Sequence, residues 1–193
     1  MIRFFYNFFH GNAYALWQVL KAWREMWRLR GRVVFNGYPL LTLRGTIKWG
    51  GGIVVNSDPS SNLYGLRQRS IIVVCPGATI EIGDRVGMSA ATLHAKTSIK
   101  IGAGTLIGGN AKILDHDFHP LDWRERNPDK GTEKTAPIVI GEKCFIGGDS
   151  IILRGAKLGD HCVVGAGSVV PAGDYPAGSV LVGNPAKIVK TLD

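Results

Sequence analysis

Ile140, Ile146, Ile152, Leu158, Val164 and Val170 recur every six residues without a break, and Gly141, Gly147, Gly159 and Gly165 follow four of them directly. A six-residue period matches neither the turn of a helix nor the alternation of a long strand. It suits one short strand plus one turn per repeat, stacked as a parallel β-solenoid. Two positions before each aliphatic stand Ile138, Cys144, Ser150, Ala156, Cys162 and Ser168, which are mostly small. A large and a small residue thus alternate inward, and three repeats close one triangular coil whose neighbours bury its apolar positions and pair its backbone.

Upstream, the same step joins Ile82 to Met88 and, after one extra residue, links Ala95, Ile101, Ile107 and Ile113. All of these positions read as core. Between residues 32 and 79 the alternation at 41–44 and 71–74 suggests strands, while NSDPSSN is turn chemistry, so irregular first coils are expected there. The 26 glycines show no collagen period and belong to recurrent turns. A chain of 193 residues with 45% apolar content has room for one core and a terminal extension.

The extension is residues 1–32. Leu16, Trp17, Leu20, Trp23 and Trp27 recur there at helical spacing, Lys21, Arg24 and Arg28 are interspersed, and Gly31 supplies a stop. This amphipathic helix has two readings. It packs on the solenoid end or a neighbouring subunit, or it anchors at a membrane surface, where Trp and Arg suit the headgroup boundary. Asn7, His10 and Asn12 interrupt the core that a cleaved signal would need, and no apolar run reaches the roughly 18–20 residues that span a bilayer. Cys75, Cys144 and Cys162 lack CxxC spacing and support neither a disulfide framework nor a zinc ribbon. A cytoplasmic location is expected, with the inner face of the membrane as the place where the helix would act. The net charge of +8 favours anionic partners such as lipid headgroups or a polyphosphorylated cofactor. No basic stripe interleaved with aromatics marks a nucleic-acid binder.

The period stops once at length, between Ile113 and Ile138, where residues 114–137 read LDHDFHPLDWRERNPDKGTEKTAP. An insertion in a solenoid is a loop on one face, often the working face. This one gathers Asp115, His116, Asp117, His119, Asp122, Trp123, Arg124 and Arg126. Two histidines among carboxylates can supply a base, an orienting carboxylate and groups that hold a polar acceptor.

The IGD and IGG hexads, DHDFHPLDWRER, the re-entry KTAPIVIGEKCFIGGDSIILRGAKLGDHCVVGAGSVV and the closing VGNPAKIVK resemble, as an ordered set over about residues 80–190, the hexapeptide-repeat acyltransferases, in particular sugar O-acetyltransferases akin to maltose and galactoside acetyltransferases. The resemblance implies a mainly β protein: a left-handed parallel β-helix over residues 33–190 with its active-site loop at 114–137, and 191–193 as a tail. Left-handedness runs against the usual crossover rule, so it comes from the resemblance and not from periodicity. Also implied are acetyl-CoA as co-substrate with no metal required, a homotrimer with sites where two subunits meet, and a saccharide or glycan-precursor hydroxyl as acceptor. In that family the histidine opening an HP pair in this loop is the base, which places the role on His119, followed by Pro120; Asp115 or Asp117 would orient its ring. His116, Asp122, Trp123 and Arg126 would hold the acceptor. Gly148, Ala166, Gly167 and Ser168 match positions where small side chains let pantetheine lie along the backbone, and Lys187 and Lys190 match basic positions that meet coenzyme A phosphates. PAGDYPAG after GAGSVV departs from the frequent TKD-type turn. On this reading His119→Ala lowers turnover roughly 10²-fold or more and His116→Ala much less.

Two alternatives stay open. The solenoid also resembles gamma-type carbonic anhydrases, in which three histidines hold a metal, although His94 and His161 form no obvious triad with His116 and His119. A non-catalytic trimeric glycan-binding scaffold is the other. Cys144 and Cys162 occupy small inward positions and read as core under either.

Overall fold

The computed structural model describes residues 17, 20–126 and 134–192. The rest of the expected extension, Leu16 among it, positions 127–133 of the loop and residue 193 of the tail lie outside the described residues.

The described chain winds through three strands per coil. Coil one holds β1 (Val33–Asn36), β2 (Leu40–Leu43) and β3 (Thr46–Trp49); coil two holds β4 (Ile53–Asn56), β5 (Ile71–Val74) and β6 (Thr79–Ile82). Coil three is β7 (Gly87–Ser89), β8 (Thr92–Ala95) and β9 (Ser98–Ile101), and coil four is β10 (Leu106–Ile107), β11 (Lys112–Leu114) and β12 (Ile138–Ile140). Coil five is β13 (Phe145–Ile146), β14 (Ile151–Leu153) and β15 (Ala156–Leu158), and coil six is β16 (Val163–Val164), β17 (Val169–Val170) and β18 (Gly173–Tyr175). β19 (Ser179–Gly183) and β20 (Ala186–Thr191) end the described chain as an antiparallel pair on the last coil. The first strands of successive coils stack into face one, the second strands into face two and the third strands into face three.

The hexad determines this packing. Ile82, Met88, Ala95, Ile101, Ile107, Ile113, Ile140, Ile146, Ile152, Leu158, Val164 and Val170 are each no more than 3% exposed, and the small residues two positions earlier in the later coils are buried with them. Each large aliphatic so buried contributes about 1.5–3 kcal/mol. The register sets Leu93, not Ala95, beside Ile113, so the step from Met88 is five residues where that from Ile107 is six; Ala90 turns this corner with φ at 46°, as Asn110 and Asp149 do in the next coils at 62° and 59°. Glycine after the aliphatic is a matter of close approach at the corner between faces three and one. A Cβ on Gly102 would lie 2.4 Å from the backbone carbon of Gly141, and one on Gly141 would lie 2.6 Å from the Asp160 nitrogen. The aspartate of the GD pair then ties coil to coil: Asp84 accepts from the Gly51 N–H at 2.7 Å and Asp160 from the Glu142 N–H at 2.7 Å.

The first coils are regular, contrary to the expected irregularity. β2 pairs in register with β5, and β3 with β6, over four residues each. Turns of unequal length, such as 44–45 and 75–78, hide the period without disturbing the strands. The irregularity is confined to residues 57–70, an insertion at the corner between faces one and two.

Outward positions differ by face. Face three carries the charged row Lys48, Glu81, Lys100, Val139, Lys157 and Asp174. Face one carries Val34, Val54, Gly87, Leu106, Phe145, Val163 and Val180, an aligned row without a charge.

Residues 20–28 form a helix that lies across the open end of coil one. Ala22, Met26 and Leu29 pack against the core. Glu25 accepts from Trp49 Nε1 at 3.1 Å, and Lys21 Nζ donates to the Leu43 carbonyl at 3.3 Å. The helix thus caps the solenoid as one of the two readings expected, but through the face opposite to its tryptophans.

Candidate active site

The long insertion leaves coil four at the corner between faces two and three. Its first residue, Asp115, is fully buried. The turn of coil three aims two backbone N–H groups at it: Lys96 N donates to Oδ1 at 2.8 Å and Thr97 N to Oδ2 at 2.7 Å. Asp115 Oδ1 also lies 3.1 Å from His116 Nδ1. A carboxylate so placed can only accept, so in the neutral ring of His116 the proton sits on Nδ1 and Nε2 carries a lone pair. That Nε2 is buried and has no hydrogen-bond partner among the described residues. Buried polar atoms are seldom left without one.

The His116 ring is wedged against His94, with centroids 4.6 Å apart, and Phe118, at 4.5 Å. His94 stands outward on β8, its Nε2 3.7 Å from Cys75 Sγ. Burial, and then the neighbouring His116, hold the His94 pKa below its ordinary 6.5, while burial pushes the Cys75 thiol up. Both groups are therefore neutral near pH 7. Among the described residues no three or more His, Cys, Asp or Glu side chains converge to hold a metal ion.

The base of the insertion is pinned. His116 bridges antiparallel to Thr135, Asp117 N donates to the Lys134 carbonyl at 2.9 Å, and Ala136 N donates to the Asp115 carbonyl at 2.9 Å. Asp117 pairs with Arg154 of the next coil at 2.8 Å. It orients neither histidine, and Asp115 orients His116 rather than His119, which corrects the expected pairing. His119 is exposed and has no hydrogen-bond or ion-pair partner among the described residues. Two of the residues expected to hold an acceptor also shape the loop: Asp122 accepts from the Arg124 N–H at 2.9 Å, and Arg126 donates to the carbonyls of Pro120 and Leu121 at 3.0 and 2.8 Å. Trp123 is exposed beside them.

The residues matched to donor binding lie at another corner, between faces one and two. Asp149 N donates to the Gly109 carbonyl at 2.8 Å and Gly167 N to the Gly148 carbonyl at 2.9 Å, so Gly109, Gly148 and Ala166–Gly167 form one column. Ala166 and Gly167 are open, whereas Ser168 is buried and its Oγ accepts from the Gly183 N–H at 3.0 Å. Gly148 is covered. The 57–70 insertion runs up this corner and lays Tyr64 on Gly109 and Gly148, where an added Cβ would meet the Tyr64 side chain at 2.4 Å in both cases. Tyr64 Oη donates to Asp149 Oδ2 at 3.0 Å, and Arg67 pairs with the same carboxylate. Smallness at Gly148 thus serves this chain's own tyrosine, and the open stretch of the column begins at Ala166. Lys187 and Lys190 are exposed on β20, paired with Val182 and Val180 at opposite ends of β19. The loop and this column sit on opposite edges of face two, separated by strands such as β8, whose four residues span roughly 13 Å.

Residues 137–172 match the sequence model described as the hexapeptide repeat of succinyl-transferase. With the three-faced coil, this defines the class: a left-handed parallel β-helix built from hexapeptide repeats, capped by an N-terminal helix. A Staphylococcus aureus (strain COL) protein named as an acetyltransferase is 45% identical over 75 residues, 39% of this chain and 36% of its own. WbbJ of Escherichia coli K12, named as a lipopolysaccharide biosynthesis O-acetyl transferase, is 36% identical over 99 residues, 48% of this chain and 50% of its own. Among solved structures, a hexapeptide-repeat acetyltransferase from Vibrio cholerae matches at a TM-score of 0.53 and 34% identity over 59% of this chain and 63% of the other. The polySia-specific acetyltransferase NeuO, at 22% identity and a TM-score of 0.55 over 82% of this chain and 71% of its own, shares the fold. The chain resembles hexapeptide-repeat acetyltransferases over part of its length. It spans between about a third and a half of the length of these curated relatives, 36% in one and 50% in the other.

Proposed function

We propose that the protein is an O-acetyltransferase that moves acetyl from acetyl-CoA to a hydroxyl of a saccharide or glycan precursor, with His116 as general base. The observation that carries this reading is the Asp115–His116 pair, whose buried Nε2 lone pair has no partner among the described residues. The acceptor hydroxyl gives its proton to Nε2 as its oxygen attacks the thioester carbonyl. The tetrahedral intermediate then collapses, the carbon–sulfur bond breaks, and the imidazolium returns the proton to the departing thiolate. Such assistance is worth roughly 10²- to 10⁴-fold. Asp115 fixes the tautomer and stabilises the transient imidazolium, and a neutral His94 beside it adds no opposing charge. The names of the relatives, acetyl transfer in general and O-acetyl transfer in one, support the transferred group and the acceptor atom.

The proposal includes a homotrimer. The uncharged outward row of face one suits side-by-side association, and loop and donor column on opposite edges of face two suit a site completed by a neighbour. A second reading keeps His119 as base: it is exposed and without a partner among the described residues, hence open to a neighbouring subunit. Thiol release from acetyl-CoA across a panel of saccharide acceptors tests the reaction; absence of acceptor-dependent release with every hydroxyl-bearing acceptor sinks it. His116→Ala and His119→Ala on the productive acceptor decide between the two bases.

A further inference from the structure

The aromatic face of the cap helix is exposed. Its inward face is Ala22, Met26 and Leu29, while Trp17, Leu20, Trp23 and Trp27 remain 47%, 59%, 60% and 75% exposed. Trp23 stacks on Tyr38 of the first corner at 6.2 Å, which widens the apolar surface, and Tyr38 is itself exposed. Arg24, Arg28, Arg30 and Arg32 are exposed around it. Six of the 23 basic residues and one of the 15 acidic ones fall within residues 1–32, and that acidic residue, Glu25, is held by Arg28 at 2.6 Å.

We propose that this end of the solenoid docks on an anionic lipid surface, through Trp23, Trp27 and Leu20 with Arg24 and Arg30 flanking them. Indole rings favour the headgroup boundary because they are apolar with one polar edge, and each arginine near an anionic surface adds about 1 kcal/mol. A second copy of the chain fits this face less well. Its four exposed arginines would meet four others across a twofold contact, and the uncharged row available for association lies on a lateral face, not on the end. A bilayer against coil one holds the Asp115–His116 loop three rungs away along the axis, roughly 14 Å at a strand spacing of about 4.8 Å. In the trimer proposed above the three cap helices share one end, so their contacts add. The inference does not depend on the reaction chemistry.

The test floats the full chain with vesicles of phosphatidylcholine alone or with about one-third phosphatidylglycerol. Binding to the mixed vesicles is expected, with little to the neutral ones and a decrease as salt rises. Trp23→Ala/Trp27→Ala and, separately, Arg24→Glu/Arg30→Glu should each weaken binding about 10-fold or more. The arginine pair keeps Trp23 stacked on Tyr38, so its loss of binding cannot be ascribed to misfolding of the cap. Turnover on a soluble acceptor should stay unchanged in both variants, which separates a failure here from a failure of the acetyl-transfer reading. The proposal is overturned if the wild-type chain ignores anionic vesicles, or if both variants float as well as it does. It is equally overturned if either variant changes the mass of the assembly in light scattering, which would give the face to a second copy.

Discussion

Replacing Asp115 with asparagine changes one buried atom and reverses a hydrogen-bonding pattern. The carboxylate accepts from Lys96 N at 2.8 Å, Thr97 N at 2.7 Å and His116 Nδ1 at 3.1 Å, three donors on two oxygens. An amide has one oxygen and an NH2 group, so at least one donor must face another donor. If the amide oxygen serves Lys96 and His116, the NH2 meets the Thr97 N–H; if it serves Thr97, the NH2 meets the Lys96 N–H and His116 must move its proton to Nε2. Leaving one buried donor unmet costs about 1–3 kcal/mol of stability. The catalytic cost is larger, because a proton on Nε2 removes the lone pair that takes the hydroxyl proton; a tautomer reversed in this way lowers turnover by roughly 10²- to 10⁴-fold. Thiol release under saturating acetyl-CoA, well below the melting temperature of the variant, measures the effect, and calorimetric titration with coenzyme A should find its affinity nearly unchanged. His116→Ala should fall into the same range and His119→Ala should lose less than about 10-fold. The reasoning is refuted if Asp115→Asn keeps near-normal turnover while folded, or if His119→Ala alone abolishes it.

Three further outcomes follow from the geometry. Gly102→Ala, whose Cβ would meet the Gly141 backbone carbon at 2.4 Å, should force coils three and four apart and cost about 3 kcal/mol or more in urea unfolding, since backbone cannot step aside. His94 is held neutral, its folded pKa lying below 6.5, so the unfolded chain binds protons more readily on acidification. Stability should be complete above about pH 6.5 and decline as pH falls from there through the folded pKa, and His94→Gln should remove that share of the slope in melting temperature. Burial pushes the Cys144 thiol up to about 11 and raises that of Cys162, so a thiol reagent on native protein at pH 8 should spare both. Modification of either before unfolding would contradict their placement in the core.

The six-residue step was enough to place Ile140, Ile146 and Ile152 inside a coil, and its one long break was enough to locate the loop, because burial of a periodic chain is a local property repeated from rung to rung. Glycine after the aliphatic was equally legible as a turn, though its reason, backbone meeting backbone between Gly102 and Gly141, was not. The partners of the site were not legible. Asp115 is oriented by Lys96 and Thr97, residues one coil earlier, and the strand register alone aims those N–H groups at it. From sequence the HP pair favoured His119, while the fold put the carboxylate on His116. Likewise the periodicity of the cap helix announced two faces without saying which turns inward. The open end of coil one accepts the slender Ala22, Met26 and Leu29 and leaves the tryptophans out. Tyr64 lies on Gly148 because the 57–70 insertion climbs three coils along one corner. Sequence by itself determined which residues repeat and are buried, since each rung needs only its neighbours. Contacts between residues far apart in the chain were decided by the tertiary structure, where stacking register, insertion path and corner geometry bring them together.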